Sequence, residues 1–264
     1  MTTAEPSVLV ERRGHVLLVT LNRPAVRNAV DADLAARLSA AIDLAEDDAD
    51  VRCVVLTGAG DKAFCAGADL KALGRGERPF APGRERDGFG GFVGRATSTP
   101  VVAAVGAQAL GGGTELVLAC DLVVAADTAA FGLPEVHRGL FAAAGGVFRL
   151  PQQLPRKVAM RMVLTGEPMT AAEALRWGLV NEVVPAADVL EVALRLAGQV
   201  AAGAPLAVQA SKRLAVGAVD GHVASEEEVW VRNEREVAAV TASADTAEGI
   251  TAFLEKRPPV WSGR

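Results

Sequence analysis

The feature that most constrains the fold is a run of three glycines at the start of an apolar segment, in the stretch ALGGGTELVLACDL at residues 109–122. Glycine inside a helix costs about 1 kcal/mol relative to alanine, because glycine loses more backbone freedom on folding. The residues that follow nevertheless look helical. The run therefore predicts a strand-to-helix turn where another group approaches the backbone closely or uses its free N–H groups.

A second glycine-marked turn, FCAGADL at residues 64–70, also follows a predicted buried strand, at residues 51–56. If each turn opens a helix, each presents backbone N–H groups that have no partner inside the helix. Two such donors that converge on one point form an oxyanion hole, which stabilises a carbonyl oxygen as it gains negative charge. Two ordinary strand-to-helix turns explain the spacing equally well.

Strand and helix patterns alternate along much of the chain, which predicts an α/β core. Strands are predicted at residues 8–11, 15–21, 51–56, 101–105, 122–126 and 129–131. Apolar residues at helical spacing predict a helix over residues 31–47, with Asp31 as its N-cap. Residues 74–94 break this pattern, and we expect either a long surface loop or a mobile flap over a ligand.

The chain after Pro205 is predicted to be mostly helical. Ser225 is expected to cap a helix whose first turn holds three glutamates at residues 226–228, where the helix dipole favours acidic residues. A shorter helix is expected at residues 246–256, before two prolines. Apolar residues within 226–240 predict a helix face that packs against the core or against a neighbouring subunit.

Composition and charge exclude several classes of function. The 264 residues carry a net charge of −5 and no long run of lysine or arginine, which argues against nucleic acid as a partner. Acidic residues interrupt the most apolar region too often for a membrane span, so no membrane is expected. The N-terminus lacks a signal-peptide pattern and the three cysteines are odd in number, so we expect reduced thiols in a cytoplasmic protein.

The residue pattern also disfavours several catalytic chemistries. His15, His137 and His222 are scattered and have no cysteine or carboxylate at ligand spacing, so no metal site is expected. No G-x-S-x-G nucleophile elbow occurs. The stretch GAGDKAFCAG at residues 58–67 lacks the G-K-[ST] of a P-loop and does not fit G-x-G-x-x-G, which weakens a nucleotide-binding interpretation.

Further short stretches accompany the two glycine turns in a specific order: NRP at 22–24, RNA at 27–29, FGLPE at 131–135, AGG at 144–146, LTG at 164–166, GLV at 178–180 and FLEKR at 253–257. Together they resemble the enoyl-CoA hydratase/isomerase (crotonase) family over nearly the whole chain. The resemblance implies a spiral of ββα units at residues 1–200. It also implies a helical C-terminal region at residues 201–264 that builds homotrimers, often paired into hexamers.

In that family two backbone N–H groups form the oxyanion hole, and the matching positions here are Ala68 and Gly112. The resemblance also implies two catalytic glutamates, Glu115 and Glu135, that hold a water molecule. Glu115 would activate the water and Glu135 would deliver a proton to the α carbon. Family isomerases need only the second glutamate, so Glu115 favours a hydratase that acts on 2-enoyl-CoA; a surface position on a helix is the alternative for Glu115.

Two other functions stay open. The first is an isomerase or dehydratase that acts on a specialised acyl-CoA, and the second is a non-catalytic protein that binds coenzyme A. Ala142 and Ala143 stand where many hydratases have Pro-Gly, and His137 and Arg138 stand in a segment that is often aliphatic. Both differences lie near the expected acyl pocket, and His137 is expected either to be exposed or to touch substrate.

The resemblance also points to residues that contact coenzyme A, which would be part of the substrate, so no separate cofactor is expected. The expected contacts come from Arg27, Asn28, Ala29, Ala66, Asp69 and Leu70. Arg23, Lys256 and Arg257 are candidates for phosphate contacts or for solvated surface charge.

Overall fold

Strands of two sheets alternate along the chain in the computed structural model, which describes residues 5–264. In chain order the strands are β1 (Val8–Arg13), β2 (Val16–Leu21), β3 (Cys53–Gly58), β4 (Ala63–Cys65), β5 (Val101–Val105), β6 (Gln108–Leu110), β7 (Leu122–Ala126), β8 (Ala130–Gly132), β9 (Met169–Thr170), β10 (Glu182–Val184), β11 (Ala218–Val219) and β12 (His222–Val223). The predicted strands are confirmed, with small shifts at their ends.

From β3 to β8, successive strands alternate between a larger and a smaller sheet, while β11 and β12 form a separate pair. The larger sheet has the order β1-β2-β3-β5-β7-β10 and the smaller one the order β4-β6-β8-β9. From β2 to β10 the neighbours in the larger sheet are parallel, and so are β4, β6 and β8 in the smaller one. The carboxyl ends of β4, β6 and β8 therefore meet at one edge, which is where parallel sheets commonly place their ligands.

The helices cover these sheets. They are α1 (Ala32–Asp47), α2 (Leu70–Gly74), α3 (Gly112–Leu118), α4 (Gly146–Gln153), α5 (Arg156–Thr165), α6 (Ala171–Trp177), α7 (Val189–Ala201), α8 (Pro205–Val216), α9 (Glu227–Thr241) and α10 (Ala244–Glu255). The predicted start of α1 is confirmed, because the Asp31 side chain accepts a hydrogen bond from the Leu34 N–H. The α/β class predicted from the sequence is confirmed by this arrangement.

The segment at residues 74–94 is packed more tightly than a surface loop would be. Phe89, Phe92 and Val93 are buried in the hydrophobic core. A Cβ placed on Gly91 would lie 2.8 Å from a carbonyl oxygen of α1, so the backbone of this segment lies directly against that helix. The surface-loop interpretation is therefore wrong for the second half of the segment, while its role as a flap stays a prediction.

The C-terminal part of the chain is helical as predicted, but its first long helix begins differently. Ser225 does not cap α9; it lies in a short 3₁₀ helix, Ala224–Glu226, and no side-chain cap hydrogen bond is present there. Glu226 occupies the N-cap position, is buried and pairs with Arg149. The prediction of a Ser225 cap is wrong because the neighbouring Glu226 pairs with Arg149, a buried partner that local sequence spacing does not reveal.

Helices α8 to α10 leave several large apolar side chains exposed in this single chain. They include Leu206, Leu214, Val231, Phe253 and Leu254. The division into a core at residues 1–200 and a C-terminal region at residues 201–264 stays a prediction, and residues 1–4 lie outside the described part. Among the described residues no single helix has the length and apolar character to cross a membrane, although the bent pair Ala186–Ala201 and Pro205–Val216 meets those criteria together.

Candidate active site

The two glycine-marked turns lie side by side at the carboxyl ends of β4 and β6. A Cβ placed on Gly67 would lie 3.2 Å from the Gly112 nitrogen and 3.7 Å from the Cα of Gly111. The two strands pair in parallel, which carries both turns to the same edge of the sheet. The turns that the sequence singled out therefore converge.

Ala68 and Gly112 each present a backbone N–H group at this junction. Gly112 is the first residue of α3, so its N–H has no partner inside the helix. Within residues 5–264 no carbonyl group accepts a hydrogen bond from either N–H. The positive end of α3 adds to the attraction for a negatively charged oxygen. The junction can therefore donate two hydrogen bonds to one ligand oxygen.

Backbone contacts explain why glycine fills the start of α3. A Cβ on Gly113 would lie 2.1 Å from the Cys65 carbonyl oxygen, which no side chain can tolerate. Gly111 has φ +57° and ψ −127°, a conformation that side chains disfavour. The Thr114 hydroxyl oxygen accepts a hydrogen bond from the Gly132 N–H at 3.1 Å, which ties the start of α3 to β8. The glycine run thus allows the two turns to approach each other closely.

Glu115 lies in the first turn of α3 and is buried, with 3% of its surface exposed. Its Oε1 accepts a hydrogen bond from the Gly146 N–H at 2.9 Å, at the start of α4. A Cβ on Gly146 would lie 3.0 Å from the same oxygen, so glycine leaves the room that the carboxylate occupies. The alternative of a surface position for Glu115 is wrong.

Glu135 lies in a short 3₁₀ helix, Pro134–Arg138, that follows β8. A Cβ on Gly111 would lie 2.8 Å from Glu135 Oε1, so this carboxylate also sits where a glycine leaves room. Its other oxygen, Oε2, is buried and has no hydrogen-bond partner among the described residues. A buried polar atom of this kind is uncommon in native proteins, and it is available to a proton or to a bound molecule.

Both glutamates have a pKa above the usual value of a carboxyl group. Burial is the largest cause of the raised pKa of Glu115, and the negative charge of Glu135 adds to it; the Gly146 N–H and the Arg149 charge oppose the rise. Burial is also the main cause of the raised pKa of Glu135. Two carboxyl groups that disfavour each other's charge share a proton near neutral pH. The pair can therefore supply an acid and a base together.

Sequence reasoning missed Phe89, whose ring forms a wall beside these donors. A Cβ on Gly112 would lie 2.3 Å from Phe89 Cζ, so the tip of the ring rests against the Gly112 Cα. Phe89 is 5% exposed. The available signal was the pattern GFGGF at residues 88–92, whose three glycines all have positive φ and turn the backbone sharply.

The residues expected to bind coenzyme A begin with a turn that follows β2. Arg27 and Asn28 both have positive φ, at 57° and 55°. The Ala66 N–H donates to the Arg27 carbonyl oxygen at 3.0 Å, which joins this turn to the first glycine turn. The Asn28 side chain is buried and donates to the carbonyl groups of Ala59 and Ala63. The Asn28 amide therefore holds the turn together, so Asn28 can contact a ligand only through its backbone.

Arg23, a candidate for a phosphate contact, is instead engaged inside the protein. Its guanidinium pairs with Asp31 at 2.9 Å and with Asp69 at 3.0 Å, and it also donates to the Ala29 carbonyl oxygen. Asp69 in turn accepts hydrogen bonds from the first N–H groups of α2, the helix that begins at Leu70. Two carboxylates balance the Arg23 charge, so a phosphate contact through Arg23 is not supported.

A pocket of about 270 Å³ lies between the Arg27 turn and the turn after β3. Its lining includes Arg27, Lys62 and Gly60. The lining also includes one carboxylate, Asp61, so the two cationic side chains outnumber the acidic one, which favours an anionic ligand. Lys62 is exposed and was missed by the sequence analysis, although it lies within the GAGDKAFCAG stretch that was singled out for its glycines.

The remaining candidates make contacts at the protein surface. His137 is exposed and packs against Gly166, where a Cβ would lie 2.7 Å from its Nε2. Arg257 pairs with Glu248 at 2.5 Å, and Lys256 forms the left-handed cap of α10. These contacts support the exposed interpretation for His137 and surface charge for Arg257.

The chemistry described so far uses backbone N–H groups and carboxyl groups. Within residues 5–264 no three His, Cys, Asp or Glu side chains cluster so that they could hold a metal ion. Cys53, Cys65 and Cys120 are free thiols. Burial raises the pKa of the Cys53 and Cys65 thiols to about 12, which leaves them as inert packing residues.

Comparison with known proteins gives a consistent picture. A family model described as enoyl-CoA hydratase/isomerase matches residues 11–264. A protein of Salmonella arizonae named carnitinyl-CoA dehydratase is 44% identical over 263 residues, which span 97% of this chain and 98% of that protein.

Solved structures of the same kind superpose on nearly the whole chain. The structure of a carnitinyl-CoA hydratase from Mycobacterium avium has 54% identity and a TM-score of 0.97, and the alignment covers 99% of this chain and 100% of that one. An enoyl-CoA hydratase from Mycobacterium tuberculosis H37Rv has 42% identity and a TM-score of 0.76, with 98% and 100% covered. The crotonase-like fold expected from the sequence is confirmed.

The replacement Glu115→Gln is expected to raise thermal stability more at pH 8 than at pH 5. A free glutamate ionises near pH 4.3, whereas burial raises the pKa of Glu115 in the folded state. Stability is therefore lost as the pH rises between these two pKa values, because the unfolded chain gives up its proton first. The amide keeps an acceptor for the Gly146 N–H and removes this dependence.

Melting temperatures of the wild type and the variant, measured between pH 5 and pH 8.5, test this expectation. Glu234→Gln, which changes an exposed carboxylate on α9, is the matched control and should show a difference that does not vary with pH. A Glu115→Gln difference that stays flat over the same range would contradict the inferred burial effect.

Proposed function

This chain belongs to the enoyl-CoA hydratase/isomerase family and is an enzyme of the hydratase and dehydratase type, and we propose that it adds water across the 2,3 double bond of a 2-enoyl-CoA. The observation that carries the proposal is a pair of glutamates, Glu115, which is buried, and Glu135, whose Oε2 is buried, beside two free N–H groups. An isomerase needs one proton carrier, whereas addition of water needs a base for the water and an acid for the carbon.

The N–H groups of Ala68 and Gly112 would receive the thioester oxygen. Attack of a nucleophile on the β carbon moves an electron pair onto this oxygen, so an enolate-like intermediate forms there. Each donor of an oxyanion hole contributes roughly 3 kcal/mol to the stability of such a species. The glycines allow the thioester to reach this backbone.

The two glutamates would divide the proton transfers. Glu115 takes a proton from water as the water oxygen bonds to the β carbon, and Glu135 gives a proton to the α carbon as the enolate collapses. The products are a neutral 3-hydroxyacyl-CoA and a pair that again holds one proton. The Gly146 N–H favours the ionised form of Glu115, and Glu135 Oε2 has no donor among the described residues. The family resemblance assigns the base role to Glu115 and the acid role to Glu135, and the Gly146 N–H supports the first role by opposing the rise that burial causes in the pKa of Glu115.

Dehydration of carnitinyl-CoA is the second candidate, favoured by the names of the similar proteins. Carnitinyl-CoA is a 3-hydroxyacyl thioester whose acyl group ends in a trimethylammonium cation, so its dehydration is the reverse of the proposed hydration. The same residues would serve both directions.

The coenzyme A moiety would bind along the turns that hold Arg27, Asn28, Ala29 and Ala66. The pocket beside Arg27 and Lys62 fits its phosphate groups by charge. No metal or separate cofactor is needed for the proposed chemistry, because the oxyanion hole and the two glutamates supply both the charge stabilisation and the proton transfers.

We also propose that the protein forms a homotrimer, with or without pairing into a hexamer. The apolar side chains exposed on α8, α9 and α10, among them Leu206, Leu214 and Val231, would be buried between subunits. Apolar interfaces of this kind are typical of obligate oligomers.

Hydration is tested with 2-enoyl-CoA thioesters of increasing chain length, whose conjugated thioester loses its ultraviolet absorbance when water adds. Glu135→Gln should abolish this loss and any isomerisation of 3-enoyl-CoA. Glu115→Gln should slow hydration at least about 100-fold while some isomerisation remains. Glu234→Gln should retain the full rate.

Absence of any absorbance change with folded wild-type protein at every chain length would reject the hydratase proposal and favour a non-catalytic protein that binds coenzyme A. An unchanged hydration rate in Glu115→Gln would remove Glu115 from the mechanism.

The Phe89 wall is expected to limit the acyl group. Because its ring fills the space beside Gly112, Phe89→Ala should raise kcat/KM for an eight-carbon enoyl-CoA relative to crotonyl-CoA by about tenfold or more. For Phe89→Leu the same ratio of kcat/KM values should lie between those of Phe89→Ala and the wild type. Carnitinyl-CoA belongs in the same set of substrates, and a higher kcat/KM for it than for crotonyl-CoA in the wild type would favour the second candidate. Equal ratios in all three proteins would exclude Phe89 from acyl selection.

The oligomeric state is tested by light scattering behind a sizing column at micromolar concentration. A mass of three or six chains is expected, and Leu214→Glu, which places a charge on the exposed apolar face of α8, should lower it. A wild-type mass of one chain would contradict the trimer.

A further inference from the structure

Arg149 on α4 is a buried cation that the proposed chemistry does not use. It is 6% exposed. Its Nε and Nη2 donate to the two carboxylate oxygens of Glu226 at 2.9 Å and 2.6 Å. Its Nη1 donates to the Val93 carbonyl oxygen at 2.8 Å. One guanidinium thus joins α4 to the start of α9 and to the segment that carries Phe89.

The same side chain lies one helical turn after Gly146, the residue whose N–H holds the Glu115 carboxylate. The position of that N–H depends on how the start of α4 is held. Replacing or shifting Arg149 would release the first turn of α4 from α9 and so loosen the hydrogen bond to Glu115.

Helix α9 holds the chain on the other side of Gly146 as well. The Asn233 side chain donates to the Ala143 carbonyl oxygen at 2.8 Å, just before α4. Trp230 packs edge-on against Phe148 with ring centroids 4.8 Å apart, and its Nε1 donates to Glu226 at 3.3 Å. The approach to α4 and its first turn are therefore both fastened to α9.

The pair also affects Glu115 by charge. The charged groups that face Glu115 are Glu135, whose charge raises the pKa of Glu115, and Arg149, whose charge lowers it. Glu226 pairs with Arg149 and balances its charge. Charges separated by protein rather than by water act more strongly on one another. A change in this pair should therefore be felt at Glu115.

We propose that Arg149 and Glu226 are positioning residues that hold the Gly146 N–H against Glu115 and so make helix α9 part of the catalytic apparatus. Neither residue touches the reacting atoms; both act through Gly146 and through charge. The proposal rests on the proposed function, since it takes Glu115 to be the base that activates water.

Two variants separate this role from a purely structural one. Glu226→Gln keeps one acceptor oxygen for the Arg149 guanidinium and loses the other, which loosens the pair. It also leaves the Arg149 charge unbalanced, which favours the ionised form of Glu115. The double variant Arg149→Met with Glu226→Gln removes both charges, which neutral residues of similar size can replace in a folded protein. In that variant Glu115 loses the nearby positive charge.

The measurement is the pH profile of kcat for hydration of crotonyl-CoA. The acidic limb should move to lower pH in Glu226→Gln and to higher pH in the double variant, by about one pH unit in each case. In both variants kcat should fall about tenfold with little change in KM, because the base is misplaced while substrate binding is kept. Glu182→Gln, which alters a surface pair with Arg195 at 2.7 Å, is the control and should change neither quantity.

A second readout needs no substrate. The stability gain of Glu115→Gln over the wild type, followed against pH, reports the titration of Glu115 directly. In the Glu226→Gln background Glu115 ionises more easily in the folded state, so the pH-dependent part of this stability gain should shrink. In the double-variant background Glu115 ionises less easily, so the pH-dependent part should grow.

The outcomes distinguish the two proposals. A wild type without hydratase activity would reject the proposed function, while opposite changes in the substrate-free readout would still support the positioning of Glu115. Active variants whose acidic limbs stay in place, or move in the same direction, would overturn the positioning role, and so would a fall in kcat that only follows the loss of folded protein.

Discussion

The site depends on one backbone contact, between the turn after β4 and the turn after β6. A Cβ on Gly113 would lie 2.1 Å from the Cys65 carbonyl oxygen, so these turns meet with no side chain between them. Because of this contact, α3 begins directly at the edge of the smaller sheet. Its first N–H and its first carboxylate, on Gly112 and Glu115, therefore start from the same point. Any residue larger than glycine at position 113 would move both.

The two carboxylates also depend on glycines, because each lies where the backbone lacks a Cβ. Glu135 Oε1 lies beside Gly111, and Glu115 Oε1 lies beside Gly146. Burial disfavours their charge and raises the pKa of both groups. Such unfavourable groups are common at functional sites, where they cost stability that the rest of the fold offsets. Here the Gly146 N–H offsets part of that cost at Glu115.

The C-terminal helices help to hold both parts of the site. Helix α9 holds the start of α4 through Asn233, and α10 packs against the 3₁₀ helix that carries Glu135. A Cβ on Gly249 of α10 would lie 2.2 Å from the Arg138 carbonyl oxygen, and the Thr246 hydroxyl donates to the Gly139 carbonyl oxygen at 2.6 Å. Both glutamates are thus supported from the part of the chain that the family resemblance linked to subunit association.

The sequence by itself determined the alternation of strands and helices, the Asp31 cap of α1 and the two glycine turns, because each follows from neighbouring residues. The family resemblance carried the choice of Glu115 and Glu135 as a pair. Only the tertiary structure decided which charges are paired. Arg23 is held by two aspartates, and Glu226, which stands at the N-cap position expected for Ser225, pairs with Arg149, 77 positions away in the chain. Phe89 likewise reaches Gly112 because its segment folds back against α1. Such contacts depend on which elements pack together, and the local spacing of residues in the sequence does not predict this packing.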